Sequence, residues 1–334
     1  MVIKYIIIVI LVTFAFIEMI GSFHTPCNIS HDAEPSAIVE NYNTQGNPTN
    51  EVFYHAPQRV VTFWQNSVET LLALGLRDRI VAAVGVPYTD CIKEEYRADY
   101  EAIPIKQMQP LDTENILMLR PDFILGWAST FTQRYTRTTE FWNSRNVNTY
   151  IAPSSMRGQK QKTIEDEYKY ILDMGDIFGR REKAYAIVAN MKDEIDYIQN
   201  NTAGREKPHA IIIEKQKDIL KVYGKHTLAG NILERVNGKL IDTGVSINYE
   251  QLIEQNPDVI FLIVCEEDYV NAKSIAQQFY DNNALQDINA IKNHRIYTVP
   301  LFMVYSSAVR TYDGIRKMAE GLYPDLYDEV PQDE

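Results

Sequence analysis

The segment Glu114-Asn115-Ile116-Leu117-Met118-Leu119-Arg120-Pro121-Asp122-Phe123-Ile124-Leu125 and its counterpart Glu250-Gln251-Leu252-Ile253-Glu254-Gln255-Asn256-Pro257-Asp258-Val259-Ile260-Phe261 decide the fold. Each reads as an acidic residue opening a short helix, apolar residues along one side, a Pro-Asp stop and a buried strand. Proline cannot continue a helix, and it pushes the residue before it out of the helical region. The spacing from glutamate to proline is the same in both copies. Two such units, each in the middle of its own run of alternating strands and helices, predict two related lobes.

Working outward from the first copy, Val60-Val61-Thr62-Phe63 predicts a strand just after Arg59. Val68, Leu71, Leu72 and Leu76 then recur at helical spacing behind a Ser67 cap. Residues 80–86 and 123–125 predict further strands. Around the second copy, strands are predicted at 210–213, 220–223, 259–264 and 296–299, and helices at 227–236 and 312–322. Strands alternating with helices imply parallel, buried sheets. Between the two runs, Ala184, Ile187, Val188, Met191, Ile195 and Ile198 share one helical face. The helix, at 180–200, is a rod of roughly 30 Å, long enough to lie across two lobes or to cover one.

The ends of the chain carry a different signal. Residues 5–17 are almost uninterrupted Ile, Val, Leu and Phe, a signal-peptide length short of the roughly 20 residues that span a bilayer. Cys27 follows as a candidate lipidation site, although Thr25-Pro26 lacks the small residue usual before such a cysteine. Residues 1–26 therefore read as a signal peptide or an uncleaved anchor. Residues 27–57, rich in Asn, Pro, Thr, Ser and Glu, read as a disordered tether. A net charge of -12 excludes a nucleic-acid partner, which needs a basic face. Cys91 and Cys265 match no metal spacing and read as free thiols, with a single bridge between them as the alternative.

These pieces resemble a known family. Arg59-Val60-Val61-Thr62-Phe63, the stretch from Ser67 to Gly85, both echo segments and the ending from Arg310 to Pro324 are similar to periplasmic-type binding proteins for iron–siderophore, haem and cobalamin uptake. The resemblance covers roughly residues 58–326. It implies an α/β protein of two Rossmann-like lobes joined by one long rigid helix, with ligand in the cleft between them. The ranges are then 58–178 for the N-terminal lobe, 179–203 for the interlobe helix and 204–330 for the C-terminal lobe. It also implies that Glu114 and Glu250 dock onto arginines of the membrane subunits of an ABC importer, with Glu69 and Glu254 as stand-ins. The plain alternative is a favourable charge at a helix start.

Ligand contacts in open parallel sheets lie where strands end and helices begin. That rule selects Trp64, Gln65, Tyr88, Trp127 and Phe131 on one lobe. On the other it selects Tyr223, His226, Glu266, Glu267, Phe302 and Tyr305. Broad aromatic walls suit a large chelator. Arg134, Arg137 and Arg310 are the cations that would meet a ferric catecholate or a carboxylate, and Arg310 leads them on the resemblance. The expected protein is a monomeric, membrane-tethered, extracytoplasmic carrier without catalytic residues, cofactor or resident metal. It would deliver a chelated metal (iron–siderophore first, haem or cobalamin next) to an ABC importer. A chelatase-like enzyme using His226 and Glu266 is one alternative, and a surface receptor is another. The chain shows no phosphate loop, nucleophile elbow or H-E-x-x-H motif.

Overall fold

In this computed structural model the described residues are 34–327, except Gln159, Asp218 and the side chain of Glu267. The expected signal segment or anchor at 1–26 and the lipidation candidate Cys27 lie outside them. The first lobe contains β1 (Ala37–Tyr42), β2 (Pro48–Phe53), β3 (Val60–Phe63), α1 (Gln65–Ala73), β4 (Ile80–Val84), α2 (Glu94–Glu101), β5 (Ile105–Gln107), α3 (Thr113–Met118), β6 (Phe123–Gly126), α4 (Thr139–Asn143), β7 (Asn148–Ile151) and α5 (Ile164–Ile177). The long helix α6 (Arg181–Asn201) follows. The second lobe contains β8 (His209–Gln216), β9 (Ile219–Val222), α7 (Leu228–Arg235), β10 (Lys239–Leu240), β11 (Ser246–Ile247), α8 (Tyr249–Gln255), β12 (Val259–Val264), α9 (Ala272–Tyr280), α10 (Asn289–Lys292), β13 (Ile296–Pro300) and α11 (Thr311–Leu322). Among the described residues no helix is long and apolar enough to cross a membrane.

The first sheet is wholly parallel, in the order β5-β4-β3-β6-β7. The second runs β11-β9-β8-β12-β13, with β10 beside β8. The sequence echo becomes structural here. α3 leads into β6 and α8 into β12, and both strands lie just beyond the central strand of their sheet, β3 or β8. The second sheet departs from the all-parallel expectation, because β9 and β11 are antiparallel to their neighbours. Only two residues, 217 and 218, separate β8 from β9. So short a link can join only antiparallel strands.

Alternation along the strands assigns each side chain to a layer. Ala210 and Ile212 of β8 enter one core, and Ile211 and Ile213 enter the core on the opposite face. The larger core runs continuously through both lobes and includes Val188, Met191, Ile195 and Ile198 of α6. Ala184 adds to this buried stripe at four- and three-residue steps, while Ile187 stays half-buried. From Ser36 onward the chain is one compact unit, with the lobes packed through this shared core.

The tether expectation fails for 36–53. β1 and β2 pair antiparallel over six residues and cover the outer edge of the first sheet at β7. Asn41, although polar, is fully buried: its amide donates to Ile151 O at 2.9 Å, and its oxygen accepts from Ile151 N at 2.8 Å. Glu51 is buried too and accepts from Asn143 and Asn148. Phe53 meets Phe123 edge to face at 5.2 Å. The polar composition satisfies the open hydrogen-bonding groups of an edge strand instead of solvating a linker.

Candidate functional site: the interlobe cleft

The first wall of the cleft rests on backbone geometry. Trp64, directly after β3, has φ 68°, a left-handed conformation that L-residues rarely adopt. Non-glycine strain of this kind concentrates at functional positions. Gly85 sits beneath the ring with φ +87°, and a Cβ there would lie 3.0 Å from Trp64 Cε3. Trp64 and Trp127, from the ends of β3 and β6, stack at 4.7 Å with an interplanar angle of 17°. Their ring nitrogens are anchored, Trp64 Nε1 donating to Thr130 Oγ1 at 3.0 Å and Trp127 Nε1 to Asn66 Oδ1 at 2.9 Å.

The second lobe closes on this wall with Tyr305, whose ring meets Trp127 edge-on at 5.2 Å. The pair divides the cleft. On the inner side lies a void of about 10 Å³ lined by Trp64, Gln65, Asn66, Gly85, Trp127, Glu266, Phe302, Tyr305 and Ser306. On the outer side lies a pocket of about 310 Å³ lined by Trp127, Ser129, Ser155, Met156, Arg157, Gly158, Lys162 and Tyr305. Lys162 Nζ stands 4.9 Å over the Tyr305 ring. Partial burial draws the Lys162 amine below its ordinary pKa and pushes the Tyr305 phenol up. The outer pocket therefore combines an aromatic floor with two cations.

Behind the cleft the lobes are locked by buried polar contacts. All nine residues of α1 are buried, including Glu69 at 0% exposure. Arg310, 6% exposed, donates from Nη1 to Glu69 Oε1 at 3.0 Å, to Glu69 Oε2 at 3.2 Å and to Cys91 O at 3.0 Å. Its Nε donates to Asp313, and its guanidinium lies 4.8 Å from the Phe302 ring. Burial pushes the Glu69 carboxyl up, and Arg310 opposes that shift. Nearby, Glu167 of α5 accepts from Ala308 N and from Ser154, whose hydroxyl also meets Ser306 Oγ at 3.0 Å. Burial pushes Glu167 up to about 7. Ser306 and Ala308 both have left-handed φ, 44° and 46°.

The sequence-derived candidates thus separate into groups. Trp64, Gln65, Trp127, Glu266, Phe302 and Tyr305 line the inner void. Phe131 does not: it is fully buried beside Trp142 and Ile151, because the chain turns back into the core after Trp127. Tyr223 is likewise buried, its hydroxyl donating to Glu214 at 2.6 Å. Arg310 is the largest correction, since its hydrogen bonds go to Glu69, Asp313 and Cys91, and it acts as a clamp between lobes. Glu69, buried in that clamp, is unavailable as a docking acid. Arg134 and His226 are exposed and line neither cavity, and Arg137 lies over Phe141 at 5.8 Å. Tyr88 is 42% exposed and lines neither cavity. Glu267 has no described side chain. Cys91 and Cys265 form no disulfide; burial, with Glu266 and Glu69 nearby, pushes the Cys91 thiol up to about 12, which keeps it unreactive.

Sequence reasoning missed Arg157 and Lys162. They follow β7, and the strand-end rule would have selected them had Asn148–Ile151 been read as a strand. Glu114 and Glu250 are exposed at the second residue of α3 and of α8, equivalent places in the two lobes, and Glu254 is exposed further along α8. Among the described residues no three His, Cys, Asp or Glu side chains are grouped to hold a metal ion.

Comparison with known proteins agrees with this architecture. The family model described as periplasmic binding protein matches residues 60–301. The uncharacterized ABC transporter substrate-binding lipoprotein YvrC of Bacillus subtilis (strain 168) is 25% identical over 280 residues, 82% of either chain. The petrobactin-binding protein YclQ of the same strain is 26% identical over 256 residues, 72% of this chain and 74% of that one. The crystal structure of a periplasmic binding protein from Veillonella parvula DSM 2008 superposes with a TM-score of 0.85 at 41% identity, covering 89% of this chain and 94% of the other. The chain belongs to the periplasmic binding protein family, a family of substrate carriers for ABC importers and not of enzymes.

Proposed function

We propose that this protein is exported, tethered outside the cell membrane, and carries a ferric chelate to an ABC importer. The observation that carries the reading is the outer pocket, where Trp127 and Tyr305 supply aromatic surface and Arg157 and Lys162 supply positive charge. An anionic chelate with flat aromatic or hydroxamate groups matches that combination. Two relatives, the petrobactin-binding protein and the ferric-anguibactin-binding protein FatB of Vibrio anguillarum (strain ATCC 68554 / 775), the second named for a ferric ligand, support the ligand class. Titration of the folded chain with a panel of ferric hydroxamates, ferric catecholates, haem and cobalamin, read by tryptophan quenching, tests it. Binding of a ferric chelate tighter than about 10 µM is expected, and failure of the whole panel at that level overturns the reading.

Docking is proposed at Glu114 and Glu250. One exposed acid at the same place in each lobe suits a partner with two related basic contacts. Reversing both to Arg should abolish uptake and leave chelate affinity unchanged. Loss of chelate affinity instead would assign those acids to the fold or the cleft.

A further inference from the structure

We propose that the inner end of the cleft is a subsite for a protonated amine head group of the ligand, seated between the Gln65 side-chain oxygen and the Glu266 carboxylate. The proposal rests on the cleft being the ligand site. Gln65 is buried, and its Nε2 donates to Cys91 O at 2.6 Å and to Glu69 Oε2 at 2.7 Å. A backbone carbonyl can only accept, so the amide nitrogen is fixed on that side. The side-chain oxygen is left as an acceptor; it is buried and has no hydrogen-bond partner among the described residues. Gln65 lines the inner void, so the ligand group that completes the site must be a donor.

Size and charge narrow the donor. The void of about 10 Å³ admits one water-sized group, and an ammonium head is of that size. Faces of Trp and Tyr attract cations, and Glu266 adds a negative charge to the same lining. The neighbouring guanidinium of Arg310 is already paired with Glu69 and Asp313. Trp127 and Tyr305 border both cavities and are in contact, so an alkyl stem reaches the outer pocket once the Tyr305 ring turns away from Trp127. The ligand inferred from this layout carries an amine at one end and its anionic chelate at Arg157 and Lys162.

The test uses n-butylammonium and its neutral counterpart 1-butanol, titrated against the folded chain and followed by tryptophan emission. A fragment this small binds at about millimolar concentration when its contacts are well placed. The expected result is saturable binding of n-butylammonium at least tenfold tighter than of 1-butanol, with the preference lost in Gln65→Leu. Glu266→Gln, which leaves the Gln65–Glu69 hydrogen bond in place, should weaken the amine tenfold even if Gln65→Leu folds poorly. Equal response to amine and alcohol, or no saturable response, overturns the proposal and marks the void as a water site. The ferric panel run on the same sample separates the two readings. Chelates bound without amine preference remove the subsite alone, whereas amine preference without any chelate bound keeps the subsite and removes the ferric reading.

Discussion

Arg310→Met isolates the clamp between lobes from the ligand site. The side chain is buried, and its guanidinium faces a carboxylate with no solvent exposure. Removing the cation leaves Glu69 charged and enclosed, a change that costs about 3–5 kcal/mol when one partner of a buried pair is lost. For a chain of this length each kcal/mol moves Tm by about 2 °C, so thermal unfolding should shift down by about 6–10 °C. The double variant Arg310→Met with Glu69→Gln should recover most of that loss. A glutamine oxygen can still accept from Lys93 N, and no uncompensated charge remains. Acid should also relieve the single variant. Without Arg310 the folded-state pKa of Glu69 rises further above its unfolded value, so the folded protein takes up the proton first and the deficit at pH 5 is smaller than at pH 8. Chelate affinity should change less than about threefold, under 0.7 kcal/mol. An unchanged Tm together with lost chelate binding would refute this reasoning and return Arg310 to the ligand.

Glu167 predicts a pH dependence of its own. Its folded-state pKa of about 7 lies above the ordinary 4.5, so its contribution to stability is full below about pH 4.5 and is lost as pH rises through 7, by roughly 3 kcal/mol; Glu167→Gln should flatten that slope in urea unfolding between pH 5 and 8 and be the more stable form at pH 8. Gly85→Ala forces a side chain into a positive-φ position 3.0 Å from the Trp64 ring; a loss of about 1–2 kcal/mol in unfolding free energy, shifted tryptophan emission and weaker chelate binding should appear together. Asn41→Ala leaves the buried N–H and C=O of Ile151 without the amide that meets them, and should cost about 2 kcal/mol in urea unfolding.

Most of the fold was legible because burial dictates pattern. Val60 to Phe63 and Val259 to Val264 are interior strands with every side chain buried, so they appear in sequence as β-branched and apolar runs. The stripe on α6 is legible for the related reason that one face must be apolar to enter the shared core. The hairpin of β1 and β2 was hidden because its contacts rest on the amide of Asn41 and on hydrogen bonds accepted by Glu51, and polar composition looks the same whether it meets water or an edge strand. α1 was legible as a helix but not as a buried one. Its Gln65, Asn66, Ser67, Glu69 and Thr70 are polar on paper and enclosed in fact.

The site followed a similar division. Positions fixed by strand ends, Trp64 and Trp127, could be selected from topology alone, because the ends of β3 and β6 open on the cleft. Charges could not be assigned that way, because a guanidinium seeks whichever carboxylate the fold brings nearest. Arg310 and Glu69 are 241 residues apart in the chain, and no local spacing signals their pairing. Lys162 and Arg157 could be selected only once β7 was known to be a strand. The exchange has a functional consequence. A binding protein that held its ligand with Arg310 would couple cargo to the lobe clamp, and its lobes would loosen whenever the cleft emptied. With Arg310 hydrogen-bonded to Glu69 and Asp313, the clamp is complete without a ligand. On the proposed reading the ligand meets Arg157 and Lys162 on the outer pocket, where an anion can bind without opening the core.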